Sequence, residues 1–120
     1  DQKLTDPIAG VVVLMTFDGA EMVSGNAGCN NYSGRYVTDG SAVVIKNILN
    51  TLNFCELPEG LMDQEDLFLA QLDRVSYYRI AADAQGQELL EMYITVMENG
   101  QEVDKVLLVF YDQQDGPPRR

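Results

Sequence analysis

Residues 34–46 have the sequence GRYVTDGSAVVIK, two short β-prone runs separated by Asp39-Gly40. An Asp-Gly pair supplies the positive φ angles that a two-residue turn requires. The runs on either side are rich in β-branched and aromatic residues, which favour strands. This stretch therefore predicts a β-hairpin, and with it an antiparallel sheet.

Similar short apolar runs, separated by Gly, Asn and Asp, recur along most of the chain. The run at 106–111 is apolar throughout, which predicts that this strand is buried on both faces. Turns are expected at Asp18-Gly19, Gln85-Gly86 and Asn99-Gly100. The further strands are predicted at residues 11–17, 22–25, 76–82, 88–96 and 103–111.

Residues 58–73 differ, because they show helical spacing instead of alternation. Pro58 suits the first position of a helix. The apolar residues that fall on one stripe, at about 100° per residue, are Leu61, Met62, Phe68, Leu69 and Leu72. The sequence therefore predicts an α+β fold, in which a curved, barrel-like antiparallel sheet of about seven strands has one helix packed across it.

The length of 120 residues suits one domain. We expect residues 1–111 to form it, although residues 1–10 are weakly patterned. We expect residues 112–120, which include two consecutive prolines, to form a loose C-terminal tail.

The chain is strongly acidic, with 8 Lys and Arg against 19 Asp and Glu, a net charge of −11, and no His or Trp. Such a surface repels phosphate backbones, so we expect no nucleic-acid partner. Without His, Ser-His-Asp and Cys-His catalysis and His-based zinc sites are excluded. No apolar run approaches the roughly 20 residues of a transmembrane helix. We expect a monomer with no metal and no cofactor.

Residues 24–34, SGNAGCNNYSG, contain three glycines and three asparagines. Both residue types adopt positive φ readily, so the loop can fold tightly and present backbone N–H groups. One interpretation is a nest that binds an anion or a peptide. The other, which we favour, is a structural crossing between two hairpins.

Cys29 and Cys55 are the two cysteines of the chain. A disulfide between them would close a loop of about 27 residues and contribute about 3 to 3.5 kcal/mol in the chain-entropy model. It would pin the Gly- and Asn-rich loop to the entrance of the helix. The alternative is two buried thiols in a reducing compartment.

Glu65 falls near the middle of the apolar stripe of the predicted helix. A buried carboxylate must be paired or hydrogen-bonded. Three roles follow: an acid at the stripe's edge that reaches water, a structural acid that accepts hydrogen bonds from a loop, and a catalytic acid.

Three segments together resemble the META domain, or HslJ-like, family. They are residues 17–36 with the Gly-Cys-Asn motif, residues 51–55 with a T-x-x-x-C motif, and the Glu-containing helix at 62–72. The resemblance extends over about residues 11–111. The motif residues are Gly25, Gly28, Cys29, Asn30, Tyr32, Gly34, Thr51, Cys55 and Glu65.

The resemblance implies a barrel-like α+β fold in a prokaryotic, extracytoplasmic protein of the cell envelope, periplasmic or secreted. Such proteins are often lipoproteins, anchored through the precursor, and some are linked to heat shock or antibiotic tolerance. The family has no established activity or cofactor. It usually opens with a Trp-containing strand, whereas residues 1–10 contain no Trp.

We therefore expect a non-catalytic, stress-associated envelope module that binds a protein partner or an apolar ligand. The alternative is a small carboxylate-dependent hydrolase that uses Glu65 with Asn30 or Tyr32. Calcium binding is disfavoured, because the clustered acids at 63–66 lie on a predicted helix and calcium sites need closely spaced loop oxygens.

Overall fold

The computed structural model describes residues 2–4, 7 and 12–112. Within them lie eight strands and one helix, α1, which spans Leu61–Leu72 between the fifth and sixth strands. The strands are β1 (Gln2–Leu4), β2 (Leu14–Phe17), β3 (Met22–Asn26), β4 (Asn31–Asp39), β5 (Ala42–Asn50), β6 (Tyr77–Ala82), β7 (Glu88–Glu98) and β8 (Gln101–Asp112).

The sheet closes on itself as an antiparallel barrel in which consecutive strands are neighbours. β1 completes the closure, because it pairs with β2 on one side and with β8 on the other. The predicted α+β class, with a barrel-like sheet and a single helix, is confirmed. The eighth strand, β1, comes from the weakly patterned residues 1–10, and its three residues are too few to show alternation.

The tight turns fall where glycine allows them. Asp39 pairs with Ala42, so the two loop residues are Gly40 and Ser41, one position later than predicted. Asn99 and Gly100 have φ angles of 52° and 78°, which are the positive values that a two-residue hairpin turn requires.

The helix begins at Leu61, three residues later than predicted. The prediction that Pro58 is its first residue is wrong. The carbonyl of Pro58 accepts the backbone N–H of Leu61 at 3.1 Å in the preceding turn. Gly60 stands at the N-cap with a φ angle of 85°, a left-handed conformation that glycine adopts without a Cβ penalty. The buried residues of the helix are Leu61, Glu65, Phe68 and Leu72.

Phe68 shows how the helix packs across the barrel. Its ring makes edge contacts with Tyr32 on β4 and with Phe110 on β8, at centroid distances of 5.5 and 6.2 Å. In a closed ring of eight strands, β4 and β8 stand on opposite walls. The helix therefore reaches between the walls and covers one end of the barrel.

The last strand is buried only in part along its apolar run. Leu108 and Phe110 are buried, whereas Val106 is 48% exposed, so burial on both faces is wrong at the start of the run 106–111. Asp112 ends β8 instead of beginning the predicted tail, and residues 113–120 lie outside the described residues.

Gly25 marks a close approach between β3 and β2. A Cβ at this position would lie 2.0 Å from the carbonyl oxygen of Leu14. We expect Gly25→Ala to lower the free energy of unfolding by about 3 kcal/mol or more, because backbone must move to relieve the overlap. Chemical denaturation measures this change. Ser24→Ala, at an exposed position of the same strand, is the matched control, and equal stability of the two variants would contradict the close approach.

Candidate functional site

The Glu65 carboxylate is buried, with the residue only 1% exposed. Its Oε1 accepts the backbone N–H groups of Cys29 at 2.9 Å and of Asn30 at 2.7 Å. Its Oε2 accepts the side-chain amide of Asn30 at 2.6 Å. Donors of this kind offset the cost of burying a charge. The geometry is that of a structural acid that holds a loop.

Asn30 uses the full hydrogen-bonding capacity of its side chain. Besides Glu65, its Nδ2 donates to the carbonyl of Asn53 at 2.9 Å. Its Oδ1 accepts the Thr51 hydroxyl at 2.8 Å and the Asn53 backbone N–H at 2.7 Å. One amide side chain therefore joins the β3–β4 loop, the helix and the segment that follows β5.

The β3–β4 loop folds back on itself to aim these donors. Gly28 has a φ angle of 124°, and its N–H donates to the side chain of Asn26 at 2.8 Å. The N–H of Ala27 donates to the Asn30 carbonyl at 2.8 Å. The loop does present N–H groups, but the anion that they bind is Glu65 of the same chain.

A disulfide joins Cys29 to Cys55, with a Cα–Cα distance of 6.0 Å. It ties together the same two segments that Asn30 links by hydrogen bonds. In the chain-entropy model, a loop of this length contributes about 3.5 kcal/mol. We call the disulfide and the hydrogen bonds among Glu65, Asn30, Thr51 and Asn53 the loop–helix lock.

Tyr32 lies beside the loop–helix lock, but its hydroxyl does not contribute to it. The hydroxyl donates to the Leu14 carbonyl at 2.8 Å. Burial raises the pKa of Tyr32 above its ordinary value, so the phenol stays protonated as a donor. Of the pairs in the hydrolase alternative, the structure brings Glu65 together with Asn30 and places Tyr32 elsewhere.

Gly34 allows close packing between β4 and β5. A Cβ at Gly34 would lie 3.2 Å from the Lys46 carbonyl oxygen and 3.3 Å from the Ile48 side chain. The pairing of β4 with β5 shifts register between Ser33 and Arg35, which indicates a bulge at this point. The role of Gly34 is therefore to let β4 and β5 pack closely, and not to bind a ligand.

A second feature, which the sequence did not reveal, is an apolar cavity of about 360 Å³ inside the barrel. Thr38 and Ile80 stand at its mouth, where both are exposed. The side chains that form most of the wall are Phe17, Tyr36, Val43, Tyr78, Leu90 and Met92. We call this space the barrel cavity.

The barrel cavity lies at the end of the barrel away from the loop–helix lock. Along β4, its residue Thr38 is six positions beyond Tyr32, or about 20 Å at the rise of an extended strand. The β2–β3, β4–β5 and β6–β7 turns form this end. Beside it, β6 pairs with β5 through a single residue pair, Ala42 with Tyr77.

Alternation along each strand could have identified the inward-facing positions of the wall, such as Tyr36 and Tyr78. It could not have shown that space remains between them, because that depends on how the barrel closes. Within residues 2–4, 7 and 12–112, no three potential metal ligands converge. No helix in the same residues has the length and apolar character needed to cross a membrane.

The sequence profile of the META domain family matches residues 4–106. A search of the curated proteins finds no match. Among solved structures, the chain is similar to a protein from Burkholderia xenovorans determined by NMR, with a TM-score of 0.59 and 21% identity. The similarity covers 89% of this chain and 67% of that one. At this identity, the likeness is one of fold.

Replacing Glu65 tests the loop–helix lock. In Glu65→Gln, the new amide nitrogen must face either the Asn30 side-chain amide or the two backbone N–H groups, so at least one buried donor loses its acceptor. We expect the free energy of unfolding to fall by about 2–3 kcal/mol. Urea denaturation of the oxidised protein measures it.

Glu59→Gln is the matched control, because Glu59 is exposed and lies just before the helix. It should change stability by less than about 0.5 kcal/mol. A Glu65→Gln variant as stable as this control would contradict the assigned role of the carboxylate.

Proposed function

This chain belongs to the META domain family, and from that premise we propose that it is a non-catalytic, envelope-associated module that binds a small apolar molecule in the barrel cavity. Family membership and the disulfide fit an extracytoplasmic protein. The proposal further places it in the periplasm or at the cell surface of a prokaryote, where a lipidated precursor and a role in stress would agree with the family resemblance.

The barrel cavity is the observation that carries this proposal. Its volume of about 360 Å³ is within the usual range for ligand pockets, roughly 300 to 1,000 Å³. A cavity of about 150 Å³ with an apolar wall is already large enough for benzene. The interior of an eight-stranded barrel is either filled by side chains or holds one small ligand, and the barrel cavity leaves space for the second.

The loop–helix lock supports a non-catalytic role. Both Glu65 oxygens are occupied by donors from the chain, and the residue is almost fully buried. A hydrolase needs its carboxylate within reach of a substrate. The META domain is also not a known enzyme family.

A protein partner is the second candidate, favoured by exposed apolar residues between β5 and the helix. Leu52, Phe54 and Leu57 are 91%, 74% and 78% exposed. Large apolar side chains grouped on a surface are typical of protein contacts. Binding of an apolar fluorophore to the barrel cavity distinguishes an apolar ligand from a protein partner.

Binding of N-phenyl-1-naphthylamine, a neutral apolar fluorophore, tests the proposal. We expect saturable fluorescence enhancement with one molecule bound per chain. Thr38→Trp should weaken binding by about tenfold or more, equivalent to about 1.4 kcal/mol, because an indole at the mouth would fill the entrance to the cavity.

Val37→Trp is the matched control, since Val37 is the neighbouring residue on the outer face of β4 and is 62% exposed. It should bind the fluorophore about as tightly as the wild type. Lack of binding by the wild type, or equal binding by both variants, would contradict a ligand in the barrel cavity and favour the protein partner.

A further inference from the structure

We propose that the barrel cavity selects apolar molecules that carry a cationic amine, with the apolar body against the aromatic and aliphatic wall and the ammonium group held at the mouth by Glu88. The inference rests on the proposed function of the same cavity.

Glu88 lies on the cavity side of β7. It is the first residue of that strand, and Leu90 and Met92 of the same strand line the cavity wall. Residues two apart share one face of a strand. Glu88 is therefore one step nearer the mouth than Leu90, on the same face.

The Glu88 carboxylate is available to a ligand. The residue is exposed, and it forms no salt bridge with any residue that the structure describes. Its partner across the sheet is Ala82, whose methyl side chain offers neither charge nor hydrogen bond. A cationic group that enters the mouth thus meets a carboxylate that none of the described cations pairs with.

The turns around the mouth add further negative charge. Among the residues that the structure describes, Arg35 pairs with Glu21 at 3.2 Å and Arg79 pairs with Glu91 at 2.8 Å, so these two cations are already engaged. An entrance lined by one sign of charge attracts the opposite sign and repels its own. Acidic residues in or beside the three turns that form no salt bridge with a described residue are Asp18, Asp39 and Asp83.

Aromatic rings line the cavity further in than this carboxylate. Tyr36 on β4 and Tyr78 on β6 contribute to the wall, and Phe17 packs edge-on against Tyr36 at 4.8 Å. Ile80 pairs with Leu90 at the mouth, and Tyr78 pairs with Met92 one step further in, so the wall that leads inward from Glu88 is aliphatic and aromatic. The arrangement therefore suits an apolar body inside and an ammonium group at the mouth.

Three probes with the same naphthyl body test the selectivity. They are 1-naphthylmethylamine, which is cationic, 1-naphthalenemethanol, which is neutral, and 1-naphthaleneacetate, which is anionic. Each is titrated against the wild type by calorimetry at low ionic strength. We expect the cation to bind about fivefold more tightly than the neutral probe, the range of a partly exposed ion pair, and the anion to bind most weakly.

Glu88→Gln should remove most of the cation's advantage and leave the affinity for the neutral probe unchanged. Glu102→Gln is the matched control. It removes the same charge from an exposed position of β8, beside the β7–β8 turn at the other end of β7, and should keep the full preference for the cation.

Equal affinities for the three probes, or a preference for the cation that survives in Glu88→Gln, would overturn this inference while the proposed function stands. Failure of all three probes to bind would overturn the inference and the proposed function together.

Discussion

The carboxylate of Glu65, buried and held by three N–H donors, is the interaction on which the rest of the structure depends. It ties the helix to the β3–β4 loop, which is 35 residues away along the chain. A buried charge is tolerated only where such donors are fixed in place. The φ angle of Gly28, the fully bonded side chain of Asn30 and the Cys29–Cys55 disulfide each fix them. Together they hold the helix across one end of the barrel.

The polar groups of the loop–helix lock are therefore all bonded within the chain. The features that suit binding lie at the opposite end of the barrel, at the mouth of the barrel cavity. There the barrel encloses apolar space instead of a polar network, and acidic turns surround the mouth. The net charge of −11 thus acts both on the surface as a whole and on the mouth of the barrel cavity. It gives the surface an excess of negative charge, and at the mouth that excess favours a cationic ligand over an anionic one.

Local sequence signals predicted the local structure well. Turn chemistry predicted both hairpins, at Asn99-Gly100 as expected and at Gly40-Ser41 one residue later than expected, and the helix follows from its apolar spacing. The start of the helix that Pro58 predicted is wrong, because Gly60 takes the N-cap position and the first helical residue is Leu61. The three roles considered for Glu65 could not be separated from sequence, since its donors come from a loop that only the fold brings near. β1 was too short to show a pattern, and the barrel cavity depends on barrel closure, which no local pattern encodes.

Native-state hydrogen exchange of the Cys29 and Asn30 amides tests the central role of Glu65 most directly. If their N–H groups are bonded to a buried carboxylate, they should exchange only through global unfolding. Their protection would then match the free energy of unfolding of the oxidised protein. Exchange as fast as that of the exposed turn amide of Gly40 would show that the loop opens independently, and would contradict the account.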